Sequence, residues 1–174
     1  MANVQSIPID RDERTADGHS QSVIVLGAGG HAKVTISTLR AAGWTVTAAY
    51  DDDPARIGTR VYGAPVVGPV EAAESLPPGT CAVIAIGSPA VRRQLAERFD
   101  FRWPSVVHPH AYVDATVRLQ EGVLVFAGAV VQPETVLGPH AIVNTSASID
   151  HDSRIGEFVN ISPGVHLSGN VTVG

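Results

Sequence analysis

The sequence predicts a chain in two parts, a small α/β domain followed by a parallel β-helix. Three observations lead to this prediction. A glycine-rich turn stands between a short apolar segment and a helical pattern near the N-terminus. Two further apolar segments of strand length follow that turn. From Val107 onward, aliphatic residues recur at every sixth position to the end of the sequence.

The composition disfavours nucleic acid and a membrane as partners, and it indicates the location of the protein. Residues 1–21 are polar and charged and contain no signal-peptide core, so we expect a disordered leader there. The net charge of −5, with no basic cluster, disfavours nucleic acid. No apolar run approaches the roughly 18 residues of a membrane span, so we expect no membrane insertion. The one cysteine, Cys81, lies in an apolar run that predicts a buried thiol and a cytoplasmic location.

The segment after the leader alternates between strand and helix patterns. Short apolar runs bounded by glycine or polar residues indicate buried strands, and spaced apolar residues indicate helices. The predicted elements are a strand at 23–26, a helix at 32–42, a strand at 44–50, a strand or hairpin at 60–68, a short helix at 71–76, a strand at 81–87 and a helix at 89–99. This order predicts a parallel α/β sheet.

The turn after the first strand reads GAGGHA at residues 27–32, which also matches the dinucleotide fingerprint G-x-G-x-x-[GA]. Its glycines would let the backbone approach a phosphate, which a helix N-terminus favours. Asp51, at the end of the second strand, could bind a ribose hydroxyl of NAD. However, about 80 residues are too few for a full dinucleotide fold. A tight turn that binds no ligand stays an alternative.

The second part repeats every six residues, which is the signature of a parallel β-helix. Each hexad forms one short strand, three hexads form one triangular coil, and each aliphatic residue stacks on the residue 18 positions away. Antiparallel strands would give a period of two instead. The aliphatic positions are Val107, Val113, Leu119, Val125, Val131, Leu137, Val143, Ile149, Ile155, Ile161, Leu167 and Val173.

Residues 22–174 resemble the hexapeptide-repeat sugar O- and N-acyltransferases, in particular the N-acetyltransferases of nucleotide-linked 4-amino sugars and the related sialic acid O-acetyltransferases. The motifs that carry the resemblance are VLGAGGHAKV, AAYDDDPARIG, VIAIGSPAVRRQL, NTSASIDHDSRIGEF and ISPGVHLSGNVTVG. The resemblance implies a half-Rossmann-like α/β domain at 22–104, then a left-handed parallel β-helix at 105–174. It also implies a homotrimer that uses acetyl-CoA and holds no metal.

The implied activity is transfer of an acetyl group from acetyl-CoA to an amino or hydroxyl group of a UDP- or GDP-linked sugar, for surface glycan or polysaccharide biosynthesis. The glycine turn would bind the nucleotide sugar. By resemblance, the substrate-binding residues are Ala28, Gly29, Gly30 and His31 at the diphosphate and sugar, Asp51 and Asp52 near the nucleoside, and Asn144 near the acceptor amine.

His151 and Asp152 are the candidate catalytic pair. An imidazole with a pKa near 6.5 can take a proton from the attacking group, and family members carry a histidine here followed by an acid that orients it. Neighbours in a straight strand point to opposite faces, so Asp152 reaches His151 only at a corner. The alternative is a solvated corner histidine, which would fit His140 or His166 equally well.

Asn160 and Gly169 are expected on the acetyl-CoA side. Asn160 stands where bacillosamine-pathway relatives carry a second histidine. An asparagine can donate a hydrogen bond to the thioester carbonyl but cannot shuttle a proton, so the identity of the sugar stays open. Gly169 lies 18 positions after His151.

The sequence stops within a coil at Gly174, whereas family members continue for a few more coils that supply much of the pantetheine and adenine site. We therefore expect a C-terminally truncated β-helix with an incomplete acetyl-CoA site. Three functions stay open. They are a nucleotide-sugar N- or O-acetyltransferase, a nucleotide-sugar-binding or scaffold protein without acyl transfer, and a small NAD-dependent dehydrogenase.

Overall fold

A computed structural model describes residues 21–174. The predicted leader therefore lies outside the described residues, apart from Gln21. The described residues form two compact units, the first ending at His108 and the second running from Pro109 to Gly174. Each unit has its own architecture.

The first unit is built on a five-stranded sheet. Its elements are β1 Ser22–Leu26, α1 Gly30–Ala41, β2 Thr45–Tyr50, β3 Arg60–Val61, β4 Ala64–Gly68, a 3₁₀ helix Val70–Ser75, β5 Ala82–Ile84 and α2 Pro89–Arg98. The strand order is β3-β4-β2-β1-β5, with parallel pairing throughout except for the β3–β4 hairpin. Each predicted strand and helix is present, and the predicted short helix is of the 3₁₀ type.

Strand β1 lies at the centre of this sheet, between β2 and β5. Its residues from Val23 to Leu26 are all buried, as expected for a parallel strand that is covered on both faces. One face packs into a core that includes Leu26, Tyr50, Ile84, Leu95 and Trp103. Cys81, predicted to be buried, is half-buried. The strand order reverses at β1, and open α/β sheets bind ligands at such a point.

The repeat region forms twelve two-residue strands. They are β6 Val106–Val107, β7 Tyr112–Val113, β8 Arg118–Leu119, β9 Leu124–Val125, β10 Val130–Val131, β11 Val136–Leu137, β12 Ile142–Val143, β13 Ser148–Ile149, β14 Arg154–Ile155, β15 Asn160–Ile161, β16 His166–Leu167 and β17 Thr172–Val173. The second residue of each strand is the predicted aliphatic position. The strands form three four-stranded sheets in which each strand pairs with the strand one coil away. This confirms the predicted left-handed β-helix.

The hexads are joined by corners in left-handed backbone conformation. Positive φ recurs at every sixth residue, at Gly122, Gly128, Glu134, His140, Ser146, Asp152, Phe158, Gly164 and Asn170. At a non-glycine residue this conformation costs about 1–2 kcal/mol. Seven of these corners are tied by a hydrogen bond from their N–H to a carbonyl of the preceding coil, such as Asp152 to Pro133 at 3.1 Å and Asn170 to His151 at 2.8 Å. The N–H of Glu134 donates instead to Thr116 Oγ1 at 2.9 Å.

His140 corrects one expectation. By sequence, the solvated corner that is the alternative for His151 fits His140 equally well, but His140 is buried, with 5% of its surface exposed. Its ring stacks on that of Phe158, with ring centroids 5.0 Å apart and planes 4° apart. On the other side lies Gly122, where a side chain would overlap the imidazole. The three residues are 18 positions apart, so they stack from coil to coil and shield the ring from water.

The stacked, inward-facing aliphatic side chains predict a large loss of stability when one of them is shortened. Ile149 is fully buried and pairs with Val131 and Leu167 in adjacent coils. Ile149→Ala should lower the free energy of unfolding by about 2–5 kcal/mol, because it removes methyl groups and leaves a cavity. Chemical denaturation measures this. The exposed Arg154→Ala, one strand further along, is the control and should stay within about 0.5 kcal/mol. An equal effect of both variants would contradict the inward stacking.

Candidate active site

The turn after β1 needs glycine at its first position. Gly27 has φ of 104°, and a Cβ there would lie 2.7 Å from Ile86 Cγ1 and 3.0 Å from the carbonyl oxygen of Ala85. Its N–H donates to the carbonyl of Tyr50 at 2.7 Å. Gly27 is therefore required by the fold itself.

The next two glycines are not required in this way. Gly29 has φ of −80°, and the nearest atom to a Cβ there is a guanidinium nitrogen of Arg56 at 3.1 Å. A Cβ at Gly30 would meet nothing within 4 Å. The space beside these two residues is open, at the N-terminus of the 12-residue helix α1. A helix N-terminus with accessible backbone favours an anion.

Asp51 and Asp52, both predicted near a nucleoside, hold loops in place. The N–H of Ala28 donates to Asp51 Oδ2 at 2.6 Å, and the N–H of Asp53 donates to Asp51 Oδ1 at 2.9 Å. Asp52 Oδ1 accepts from the N–H of Val70 at 2.8 Å, ahead of the 3₁₀ helix. Both carboxylates therefore have a structural role, whatever ligand the turn binds.

Arg56 lies over the turn, and sequence reasoning missed it. Its Nη1 is 3.8 Å from Asp51 Oδ2, and its Nε donates to Asp53 Oδ2 at 3.0 Å. The same hydrogen bond and a backbone N–H from Ala55 lower the pKa of Asp53, with the backbone bond the larger cause. Only the motif DDDPARIG could have pointed to Arg56, because no spacing rule links it to the glycine turn.

Two hollows, of about 260 Å³ and 300 Å³, adjoin the turn and share Gly29, Gly30 and Arg56. The first also carries the cations Lys33 and Arg60 in its lining. The second lies at the carboxyl ends of β1 and β5, where the strand order reverses. The predicted residues that line one or both hollows are Ala28, Gly29, Gly30, His31 and Asp51, whereas Asp52 lines neither.

His31 and Arg92 are coupled beside the second hollow. Arg92 is 1% exposed, and its Nη1 donates to the carbonyls of Ile86 at 3.2 Å and Gly87 at 2.8 Å. Burial lowers the pKa of Arg92 to about 10, so it stays charged at pH 7. Burial, and then the charge of Arg92, lowers the pKa of His31 and favours its neutral form. Only the motif VIAIGSPAVRRQL could have pointed to Arg92, because no spacing rule links this residue to the glycine turn.

His151 and Asp152 are in contact at a corner, as the sequence required for a catalytic pair. Asp152 has φ of 57°, which brings its carboxylate to the imidazole of the preceding residue. The distance from His151 Nδ1 to Asp152 Oδ2 is 2.7 Å, and both side chains are 59% exposed. The N–H of His151 donates to Asp150 Oδ1 at 2.8 Å, which fixes the start of the corner.

The carboxylates raise the pKa of His151. The hydrogen bond that Asp152 accepts from the ring is the largest cause, and the charge of Asp150 is next. Because Asp152 accepts from Nδ1–H, the neutral ring carries its lone pair on Nε2. No residue in the described range 21–174 forms a hydrogen bond with Nε2. The pair can therefore accept a proton on Nε2 and stabilise the imidazolium that results.

The other predicted site residues are Asn144, Asn160 and Gly169, all in the β-helix. Asn144 Nδ2 lies 3.5 Å from Asn160 Oδ1, and Asn144 Oδ1 accepts from the N–H of Thr145 at 3.0 Å. This orientation leaves Asn160 Nδ2 as a donor. Gly169 lies against the imidazole of His151. His166, by contrast, is exposed, with its Nδ1 2.7 Å from Ser148 Oγ.

Nowhere in the described range 21–174 do three or more His, Cys, Asp or Glu side chains form a group that could hold a metal ion. No helix in the same range is long and apolar enough to cross a membrane.

The chain is similar to several known proteins. Residues 22–99 match the family described as the PglD N-terminal domain. The UDP-N-acetylbacillosamine N-acetyltransferase of Bacillus subtilis (strain 168) is 35% identical over 113 residues, which are 62% of this chain and 52% of that protein. The chain thus spans about half the length of this curated relative.

Solved structures extend the match over most of the chain. One is the perosamine N-acetyltransferase of Caulobacter crescentus, solved with CoA and GDP-perosamine as a variant in which asparagine replaces one histidine. It is 40% identical, and the match covers 88% of this chain and 74% of that chain with a TM-score of 0.81. The acetyltransferase domain of PglB from Neisseria gonorrhoeae FA1090, in complex with acetyl coenzyme A, is 38% identical with a TM-score of 0.82. This match covers 90% of this chain and 77% of that domain. The chain belongs to the hexapeptide-repeat nucleotide-sugar acetyltransferases.

Membership of this acetyltransferase family decides between two interpretations of the glycine turn. The fingerprint G-x-G-x-x-[GA] is shared with NAD-binding proteins, but the fold that follows is the β-helix of the acetyltransferases. The dehydrogenase alternative is therefore wrong. The turn in this family member combines a glycine that the fold needs with two glycines that it does not.

Proposed function

We propose that the full protein transfers an acetyl group from acetyl-CoA to the amino group of a UDP- or GDP-linked sugar. The observation that carries the proposal is the hydrogen bond between His151 and Asp152, which prepares a base at a corner of the β-helix. The relatives described above add support, because one holds CoA with GDP-perosamine and another holds acetyl coenzyme A.

His151 is the general base of the proposed reaction. The amine nitrogen attacks the thioester carbonyl carbon, a C–N bond forms, and the C–S bond breaks. Nε2 of His151 accepts the proton that the nitrogen loses, and this proton then neutralises the departing thiolate of CoA. Asp152 holds the ring through Nδ1 and stabilises the imidazolium while the proton is in transit.

The hollows beside the glycine turn are the proposed nucleotide-sugar site. Arg56 lies beside the open backbone of Gly29 and Gly30, and Lys33 and Arg60 line the same hollow. These cations and the N-terminus of α1 would together favour a diphosphate. His31 and Asp51 line the adjoining hollow and would contact the sugar and the nucleoside, while Asp52 would hold the loop nearby.

The asparagines and Gly169 are assigned to the transfer step. Asn144 would contact the acceptor amine, and Asn160 would donate a hydrogen bond from Nδ2 to the thioester carbonyl of acetyl-CoA. The hydrogen bond from Asn144 to Asn160 supports this orientation, because it engages the oxygen of Asn160. Gly169 would lie on the donor side, beside the base.

We also propose that the protein is a cytoplasmic homotrimer that serves surface glycan biosynthesis. A cyclic trimer would pair the flat faces of three prisms. Acetyl-CoA and nucleotide sugars are both cytoplasmic metabolites. A monomeric mass in light scattering of the full protein would contradict the trimer.

An O-acetyltransferase, or a nucleotide-sugar-binding protein without acyl transfer, would share the first unit. Mass spectrometry of a UDP- or GDP-amino sugar incubated with acetyl-CoA separates these functions. An amide product supports the proposal, an ester product indicates O-acetylation, and binding without any product indicates the binding protein.

Removal of the base should act on turnover. His151→Ala in the full protein should lower kcat by roughly 10²–10⁴-fold, with little change in nucleotide-sugar affinity, because the ring acts on a proton in the transition state. Asp152→Asn should cause a smaller loss, since the base remains. His166→Ala is the matched control, because it removes an exposed histidine of the same repeat. If His151→Ala keeps more than about half of the wild-type kcat, His151 is not the base.

A side chain at Gly29 should act on nucleotide-sugar binding alone. Valine adopts the backbone conformation of Gly29 without strain, but its methyl groups would displace Arg56 and fill the hollow. Gly29→Val should therefore weaken nucleotide-sugar binding by at least about tenfold in calorimetry. Acetyl-CoA binding serves as the internal control and should not change. Equal loss of both affinities in a folded variant would contradict the assignment of the turn.

A further inference from the structure

Gly169 and His151 are in unusually close contact. An ideal Cβ at residue 169 would lie 2.7 Å from both Cε1 and Nε2 of the imidazole, and 3.1 Å from Cδ2. Carbon atoms in van der Waals contact are about 3.5–4.0 Å apart, so the ring occupies space that any side chain at 169 would need. Pro133 occupies the equivalent position one coil before His151.

The backbone at this glycine does not itself require glycine. The φ of Gly169 lies outside the left-handed region, in contrast to that of the next residue, Asn170, at 59°. An alanine could therefore adopt the conformation of Gly169. The need for glycine at this position is steric and comes from the ring of His151.

The backbone segments that carry His151 and Gly169 are held together by hydrogen bonds, so they cannot move apart to make room for a side chain at residue 169. The N–H of Asn170 donates to the carbonyl of His151 at 2.8 Å, and the N–H of Asp150 donates to that of Leu167 at 3.1 Å. Ser153 Oγ, which is buried, accepts from the N–H of Val171 at 3.2 Å. These bonds flank Gly169 on both sides. A methyl group at 169 would therefore displace the exposed ring and not the backbone.

We propose that Gly169 is a positioning residue for His151: its missing side chain provides the space in which the ring keeps Nδ1 on Asp152 and leaves Nε2 free to accept a proton. This role rests on the proposed function of His151. It differs from a contact with acetyl-CoA, because Gly169 acts through the ring and would affect the base before any donor binds.

A second pair in the same β-helix follows this steric rule. Gly122 lies beneath the ring of His140, where a Cβ would overlap the imidazole. That ring is buried and stacked on Phe158, and Gly122 itself has φ of 67°, so the glycine there serves both packing and the corner. The ring of His151 is exposed and bonded to Asp152, so the same device there serves a titrating group.

The direct test is an NMR titration of His151 in the 174-residue chain, which needs no enzymatic activity. The imidazole signals are assigned by their loss in His151→Ala. The carboxylates that act on this ring are Asp150 and Asp152, and Gly169→Ala leaves both in place. We expect Gly169→Ala to lower the pKa of His151 toward 6.5, because the displaced ring loses its bond to Asp152.

The same titration in further variants makes the test specific. Asp152→Asn should lower the pKa, and addition of Gly169→Ala to it should cause little further change, because both act on one bond. A further fall in the double variant would indicate that the methyl only desolvates the ring, and would overturn the proposal. Ser168→Ala, at the neighbouring exposed position, is the matched control and should titrate like the wild type.

Thermal denaturation covers the case in which Gly169→Ala is unstable. Adding His151→Ala should then restore the melting temperature, since the new methyl group enters the space that the ring has left. Failure of this rescue would overturn the proposal, as would a folded Gly169→Ala whose His151 has the wild-type pKa and Nδ1–H tautomer. In the full enzyme, kcat should fall at unchanged KM for acetyl-CoA. A raised KM with an unchanged titration would assign Gly169 to the donor instead.

Discussion

The left-handed corner at every sixth residue is the constraint on which the rest of the β-helix depends. It turns the chain after each short strand, so that each inward side chain stacks on its equivalent in the next coil. The strain, about 1–2 kcal/mol at a non-glycine corner, is offset by the N–H bond to the preceding coil and by the buried ladder. It also brings consecutive side chains together, which a straight strand cannot do.

The pair of His151 and Asp152 follows from that constraint. In a strand their side chains would point to opposite faces, but the corner brings the carboxylate within 2.7 Å of Nδ1. Because the corner is tied to Pro133 before it and to Asn170 after it, the proposed base is presented by the scaffold and not by a mobile loop. The ring stays exposed, which a group that exchanges protons with substrates requires.

The sequence was sufficient for the fold and for part of the site. All twelve predicted aliphatic positions are the second residue of a strand, because a period of six leaves no other register. The sequence also showed that Asp152 could reach His151 only if the two residues lie at a corner. Burial of His140 could not, since it depends on Gly122 and Phe158 in neighbouring coils and not on residues of its own hexad.

The first unit was harder to predict in detail. Asp51 was expected near the nucleoside, and the sequence did not show that its carboxylate accepts from the N–H of Ala28 and so builds the turn before any ligand arrives. Arg56 and Arg92 were missed because no periodic pattern in the sequence indicates their positions. A loop places Arg56 beside the turn, and the length of its side chain lets Arg92 reach the carbonyl of Gly87. A preformed turn of this kind would lose little conformational entropy on binding the anion proposed for it.

The dependence of kcat/KM on pH tests the central claim, that His151 accepts the proton, most directly. A base must be neutral to act, so activity should fall as the pH drops through the pKa of His151, which Asp152 and Asp150 raise above 6.5. Asp152→Asn removes the largest cause of that rise, so its acid limb should move to lower pH. An acid limb at the same pH in both enzymes, or none in the wild type, would contradict the account.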